Sequence, residues 1–397
     1  MYRGVIDRCR CAKGEKEMNL SFYVHIPYCV KRCGYCDFNT YTPNELKLTD
    51  GISQISKNYA EQVVSEISMA KAAVGTARVP TIFFGGGTPS LMNPADIEKI
   101  ISKLKNEFDL SIDCEITLES NPDSLTEKSI AGYKAAGVNR ISLGMQSATA
   151  NVLTTLDRTH NPAKLPIVTE WAKQAGIAHI SVDLIYGTPG ETIADWLFTI
   201  DTALALPIDH ISAYALIVED GTKLSAQVKR GEISKPDDDE MAEKYKLADD
   251  RFTRAGFNWY ELSNWAKTGA ECQHNLIYWR NENWWGVGPG AHSHISGRRW
   301  WNVKNPIAYQ ERINTGKSPE ADAELLRNDQ IENENLMLSI RLSDGLTKQK
   351  LNHVQINKLE SYLDSGYLMK ERWNNGYATL SQSGRLIADR ILRDILV

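Results

Sequence analysis

Six short runs rich in β-branched and aromatic residues punctuate the chain between Ser21 and Val218: SFYVHIP from Ser21, TIFFGG from Thr81, CEITLES from Cys114, RISLGM from Arg140, HISVDLIYG from His179 and HISAYALIV from His210. Each is followed by apolar residues at helical spacing, as in Tyr59 to Ala73, Ala95 to Phe108, Leu125 to Ala136, Ala163 to Ala175 and Ile193 to Leu206. Most of these stretches open after Pro, Asp or Asn or end at Gly. Strand and helix alternate, which predicts βαβ units and a parallel sheet. Most of the strands are apolar on both faces, as a sheet covered by helices requires. Six units fall short of the eight that close a full barrel, so the pattern predicts an α/β fold built on an open, partial barrel of six strands and six helices. The acidic PDDDE before Met241 predicts one more helix start, where carboxylates complement the positive end of the dipole.

The texture changes at Phe257. Seven of the ten tryptophans and three of the eight histidines fall between Phe257 and Trp301. From about Glu324 helical patterns return (ENENLMLSIRL, then VQINKLESYLDSGYL), followed by a β-like GYATLS and a last helix, GRLIADRILRDIL. This predicts four parts: an N-terminal tail (1–20), an α/β core (21–256), an aromatic-rich segment (257–323), and a small α+β, winged-helix-like C-terminal domain (324–397).

At 397 residues the chain is long enough for a full-sized core. With 42% hydrophobic and 24% charged residues it reads as globular. The 45 Lys+Arg against 50 Asp+Glu lack the basic footprint of a nucleic-acid binder, and residues 326–397, with 10 basic and 9 acidic side chains, are balanced too. The N-terminal stretch has charges throughout and no apolar signal region, and no run of about 18 apolar residues occurs anywhere, so the expected location is the cytoplasm.

Seven cysteines in such a chain point to metal or redox chemistry rather than to disulfides. Cys29, Cys33 and Cys36 form C-x-x-x-C-x-x-C in the loop directly after the first strand, the end of a barrel where chemistry sits. Three thiolates in one loop can hold three corners of a [4Fe–4S] cluster and leave one iron without a protein ligand. A zinc site would want a fourth soft ligand nearby, and none follows. Cys9, Cys11, Cys114 and Cys272 read as ordinary thiols, and His25 as a satisfied core histidine.

This loop resembles the signature of radical S-adenosylmethionine enzymes. GGGTPS, from Gly85 to Ser90 at the end of the second strand, resembles the glycine motif that approaches the cofactor's methionine part in that family. HIPYC, ESNPD, NRISLGMQS, DRTH, DLIYGTPGET and SAYALIVE follow in order at strand ends and are similar to the oxygen-independent coproporphyrinogen oxidase group along nearly the whole chain. The resemblance implies a radical SAM barrel in which Tyr23, Gly86, Gly87, Thr88, Glu119, Gln146, Arg158 and Asp183 surround S-adenosylmethionine. The residue chemistry agrees, since carboxylates accept from ribose hydroxyls and Arg or Gln can read a carboxylate or an adenine edge. A metal-sensing scaffold would have no need of such an ordered polar set.

Two branches of that group differ in activity. Coproporphyrinogen oxidases carry a further cysteine beyond the triplet and a sizeable N-terminal extension, whereas here Cys36 is followed by Asp37 and Phe38, and about twenty residues precede the first strand. The HemW-type haem chaperones resemble this chain in CDF, in length and in ECQHNLIYW, where His274, Asn275, Tyr278 and Trp279 match a motif associated with haem. An imidazole is a natural axial ligand and flat rings stack on a macrocycle. On the residues alone a second reading stands, in which the aromatics fill a domain interface and His274 caps or bridges backbone groups. His292 and His294 in GPGAHSHIS are competing ligands, but the glycines around them suggest a tight loop near the site rather than a ligand platform. The implied function is delivery of haem to acceptor proteins of respiration, membrane-associated ones included, without nucleic acid and without coproporphyrinogen oxidase activity. The resemblance admits a homodimer. The alternative is the oxidase itself, performing radical decarboxylation of coproporphyrinogen in porphyrin biosynthesis.

Overall fold

The computed structural model describes residues 18–46 and 51–396; Cys9, Cys11 and nearly all of the tail 1–20 lie outside them. The six expected strands are present as β1 (Ser21–Ile26), β2 (Arg78–Gly86), β3 (Asp109–Ser120), β4 (Arg140–Gln146), β5 (His179–Tyr186) and β6 (His210–Ala215). Between them run α1 (Gly51–Val74), α2 (Pro94–Glu107), α3 (Glu127–Ala136), the short α4 (Ala150–Thr155), α5 (Leu165–Gln174) and α6 (Ile193–Leu204). Local chemistry sets the helix ends. Thr126 and Ser129 form a capping box at the start of α3, Gly137 closes that helix in the left-handed region (φ 109°), and Thr192 and Asp195 cap α6 the same way. After α7 (Lys223–Lys229), Asp237 caps α8 (Asp238–Arg254) by accepting from the Glu240 amide at 2.9 Å, which is the helix expected from PDDDE.

β1 to β6 pair in parallel in chain order, and the sheet stays open rather than closing on itself. The stretch set apart by its tryptophans is built into this sheet at both ends. β7 (Asn258–Glu261) and β8 (Asn264–Ala266) extend it antiparallel beyond β6. After the short α9 (Gln273–Trp279), β9 (Trp284–Val287) returns to the other side and pairs in parallel with β1. β10 (His292–Ile295), β11 (Arg298–Asn302) and, after α10 (Pro306–Asn314), β12 (Glu320–Leu325) then continue as an antiparallel wing. Local sequence could not reveal this, because pairing between β9 and β1 spans more than 260 residues of chain.

One apolar core, which includes Phe22, Phe84, Trp196, Trp265, Trp285 and Trp300, runs through both the parallel strands and the wing. A buried carboxyl fastens α1 to the wing: Glu66 accepts from the Tyr309 hydroxyl (2.6 Å), the Gly288 amide (2.8 Å) and Asn302 Nδ2 (2.7 Å). The C-terminal residues form a separate apolar cluster around Ile340, Leu359, Trp373 and Ile391. It gathers α11 (Asn328–Ser339), α12 (His353–Asp364), α13 (Lys370–Asn374), α14 (Gln382–Arg385) and α15 (Ala388–Ile395) around a ribbon of β13 (Leu346–Thr347) and β14 (Tyr377–Ala378). Arg385 ties this part to α8 through a two-pronged pair with Asp249 at 2.9 and 2.6 Å. No described helix is long and apolar enough to cross a membrane.

Candidate functional site

Period-two alternation puts one set of side chains on the concave face of the sheet, and the register shows which: Tyr23 beside Phe83, Thr117 beside Arg140, Glu119 beside Ser142, Asp183 beside Ser212. The cysteine loop lies over the carboxyl end of this face. It is held from several directions: Cys29 N donates to Tyr41 O (3.1 Å), Gly34 N to Leu156 O (3.2 Å), and Asn39 Nδ2 to the carbonyls of Pro289 (3.0 Å) and Lys304 (2.9 Å). His25, with Nδ1 on the Tyr23 hydroxyl and Nε2 on the Asn39 carbonyl, both at 2.9 Å, is the satisfied core histidine expected of it.

Two of the three thiols have a side-chain donor that suits a sulfur ligand. Arg158 Nη1 donates to Cys33 Sγ at 3.3 Å while its Nη2 donates to Gly144 O at 2.8 Å, and the Thr88 hydroxyl donates to Cys29 Sγ at 3.6 Å. Burial pushes the Cys29 thiol up to about 11, against the Thr88 hydroxyl, and burial likewise raises Cys36. Metal binding at this loop therefore releases protons. A single zinc ion needs its ligands within about 2.3 Å of one point, and among the described residues no three His, Cys, Asp or Glu side chains are grouped that way. An iron–sulfur cluster takes its thiolates on separate irons, so the donor set fits a [4Fe–4S] cluster with one iron open.

The glycine motif lies against this loop for a steric reason. At Gly87 a Cβ would meet Tyr28 O at 2.6 Å and Cys29 Sγ at 3.0 Å; Gly86, at φ +112°, would place one 2.6 Å from the His25 ring. The Gly86 amide donates to Glu119 Oε2 (3.1 Å). Glu119 is pushed up to about 8 by burial and by the nearby Asp183 carboxylate, so at neutral pH it is mostly protonated and can donate as well as accept. Asp183 is raised by burial too, against the hydroxyls of Ser212 and Ser142, the latter at 2.9 Å. Gln146 sits at φ 61°, where a non-glycine residue is strained, at a register shift between β4 and β5, with its amide close to Gly144 and Arg158. The structure thus brings Tyr23, Gly86, Gly87, Thr88, Glu119, Gln146, Arg158 and Asp183 to one end of one face, beside Cys29, Cys33 and Cys36.

The HNLIYW segment packs against β2. His274 is 1% exposed, its ring stacks on Phe83, and both nitrogens are engaged: Nδ1 with the Thr81 hydroxyl at 2.7 Å and Nε2 with the Tyr278 hydroxyl at 2.9 Å. Burial depresses its pKa to about 3, so the ring is neutral. Asn275 donates to Tyr260 (3.2 Å) and Glu261 (3.0 Å), and Trp279 packs with Tyr260, Leu276 and Leu342. The ring thus bridges two side-chain hydroxyls, and in this structure no lone pair of it faces solvent. His294 is closed as well, with Nδ1 on Glu282 O (3.0 Å) and Nε2 accepting from Gly297 N (3.1 Å).

Below Glu119 and Asp183 the face carries residues that motif reasoning missed. Arg140 Nε donates to Glu115 Oε2 at 2.9 Å, and Glu115 also accepts from the amides of Gln273 (3.1 Å) and His274 (2.9 Å). Arg140 and His274 line a cavity of about 110 Å³ together with Thr117, Glu119, Asp183 and His210. Charged residues inside otherwise apolar strands, as in CEITLES and NRISLGMQS, were the available signal.

These features are those of the radical SAM superfamily, whose profile matches residues 23–203. The fold agrees with that of coproporphyrinogen III oxidase HemN from Escherichia coli, at a TM-score of 0.80 and 20% identity, with 96% of this chain and 90% of that one covered. Within the superfamily the relatives are closer. The heme chaperone HemW of Mycobacterium tuberculosis is 42% identical over 374 residues, 94% of each chain, and that of Bacillus subtilis is 36% identical over 335 residues, covering 83% of this chain and 85% of its own. The chain belongs to the HemW family.

Proposed function

We propose that this protein binds a [4Fe–4S] cluster and S-adenosylmethionine at the carboxyl end of its sheet, takes up haem, and delivers it in the cytoplasm to haem-accepting proteins of respiration. The observation that carries the reading is the similarity to the HemW chaperone of Mycobacterium tuberculosis over 94% of the chain, which therefore takes in more than the radical SAM core. Cys29, Cys33 and Cys36 would hold the cluster, with Arg158 setting the charge beside Cys33. Tyr23, the glycine strip with Thr88, Glu119, Gln146 and Asp183 would position S-adenosylmethionine. Bound there, the pair would supply one-electron reductive chemistry. The chain's own residues keep that end of the face ordered: Asn39 ties the cysteine loop to the wing, and the glycines let the β2 end approach it. The absence of a cysteine after Cys36 supports a carrier rather than an oxidase, and the reading admits a homodimer.

The test is haem transfer. Anaerobically reconstituted protein, loaded with haem, is mixed with a haem-free b-type cytochrome, and the cytochrome spectrum is followed. Transfer faster than from free haem is expected. Failure to take up haem, or to pass it on, would overturn the reading.

A further inference from the structure

Thr117, Arg140 and His210 stand two positions before Glu119, Ser142 and Ser212 on β3, β4 and β6, so they form the layer beneath them on the concave face. All three are buried, and each has a polar atom without a partner among the described residues: Thr117 Oγ1, Arg140 Nη1 and His210 Nδ1. The three side chains line one cavity of about 110 Å³, whose wall also includes Tyr214, 45% exposed. A water takes about 10–15 Å³ on this measure, so the space suits a group of several heavy atoms rather than one water alone. Three orphaned polar atoms around one cavity are unusual, because buried polar groups are nearly always hydrogen-bonded.

The neighbours of these groups fix where the hydrogens are. Arg140 spends Nε on Glu115 (2.9 Å) and Nη2 on the carbonyls of Ala270 (2.7 Å) and Glu271 (3.3 Å), which leaves both Nη1 hydrogens for the cavity. Glu115 does not absorb the whole of this charge, since it also accepts from the amides of Gln273 and His274 and from the Cys272 thiol (3.5 Å). Asn275 Nδ2 donates to the Tyr260 hydroxyl (3.2 Å), so the Tyr260 hydrogen is directed to His210 Nε2, 2.8 Å away. Burial and the Arg140 charge keep the His210 ring neutral, and its single hydrogen is therefore on Nδ1. Of the carboxyls in the layer above, Glu119 is mostly protonated at neutral pH, and Asp183 is turned to the hydroxyls of Ser142 and Ser212. The cavity is rich in donors and poor in acceptors.

We propose that this layer is a binding site for a small carboxylate of acetate size, which accepts from Arg140 Nη1, His210 Nδ1 and the Thr117 hydroxyl. The two oxygens of such an ion offer about four lone-pair sites, enough for all of these donors. An ionised acceptor also makes each bond stronger than a neutral one would. Phe83 in the cavity wall supplies an apolar surface for the short carbon chain. The site is distinct from the cysteine loop, and it depends on neither the cofactor reading nor the haem reading.

The experiment is a titration of isotope-labelled acetate into the anaerobically reconstituted full-length protein, followed by carbon NMR, with acetamide as the neutral isostere and iron content as the folding control. Acetate should bind saturably and acetamide should not. Arg140→Lys keeps a positive charge beside Glu115 but removes Nη1, and should abolish binding. Thr117→Val keeps the side-chain shape and removes one donor, so acetate should bind roughly tenfold more weakly. Its thermal midpoint should be no lower than that of the wild type, because the hydroxyl it removes has no partner in the protein. Acetate held instead by an open cluster iron would bind Thr117→Val as tightly as wild type, and that result would overturn the site. So would a wild-type protein that binds acetate and acetamide alike, or neither.

Discussion

His274 Nδ1 and the Thr81 hydroxyl stand 2.7 Å apart, joining two residues 193 positions distant in the chain, and the other ring nitrogen is held by Tyr278. The bond ties α9 to the concave side of β2 and leaves the imidazole neutral and enclosed. Its pKa is driven down to about 3 by burial, from an unfolded value of 6.5. The unfolded chain thus binds the proton more readily. The contribution of this group is complete above about pH 6.5 and is lost as the pH falls toward 3.

His274→Gln should therefore lower stability at neutral pH by about 1–3 kcal/mol, the cost of a buried partner left unsatisfied. It should also flatten the decline of stability between pH 6.5 and 4. Urea midpoints measured across that range check both effects. An unchanged acid slope would mean that the ring is not enclosed as described.

Glu66 has the opposite sign. Burial raises its carboxyl to about 7 against a usual 4.5, and the hydrogen bonds from Tyr309, Gly288 and Asn302 only partly offset this. The folded state binds this proton more tightly, so its stabilising effect is complete below about pH 4.5 and is lost as the pH rises through 7. Glu66→Gln keeps the shape but sets an amide group against donors, at a cost of about 1–3 kcal/mol. Its stability relative to wild type should improve as the pH rises from 5 to 8. A pH-independent difference would place the titration elsewhere.

The cysteine loop gives a sharp contrast. Cys29→Ala, Cys33→Ala and Cys36→Ala should each abolish the brown iron–sulfur absorption after reconstitution. Cys9→Ala, Cys11→Ala, Cys114→Ala and Cys272→Ala should retain it, Cys272 being turned toward Glu115 at 3.5 Å instead. Iron and sulfide analysis reads the result. Loss of iron in Cys272→Ala would break the ligand assignment.

Arg158 serves two partners at once, Cys33 Sγ and the Gly144 carbonyl. Arg158→Gln removes a positive charge and a hydrogen bond beside one ligand sulfur, both of which favour the reduced form of a cluster. The midpoint potential should fall while iron content stays near wild type. A rise, or no change, would show that the guanidinium does not sense the cluster.

Much of this was legible in the chain. The strands from Ser21, Thr81, Cys114, Arg140, His179 and His210 appear where periodicity puts them, because each is long, apolar and bounded by turn residues. The cysteine spacing and the polar residues at strand ends converge because strand ends are fixed by the same pattern. The antiparallel wing was not legible. Trp284, His292 and Trp301 gain their meaning only when β9 pairs with β1. Nor could a motif say whether His274 faces solvent or Thr81, since the identity of a side chain does not reveal its partners.

The central claim is that this protein carries haem and does not convert coproporphyrinogen. Reconstituted protein is incubated anaerobically with coproporphyrinogen, S-adenosylmethionine and a low-potential reductant, and the products are resolved by mass, while a parallel sample is titrated with haem. The account predicts about one haem per chain, as one axial ligand site allows, and no loss of carbon dioxide from the porphyrinogen. Decarboxylated porphyrinogen accumulating over many turnovers, with no saturable haem binding, would contradict it.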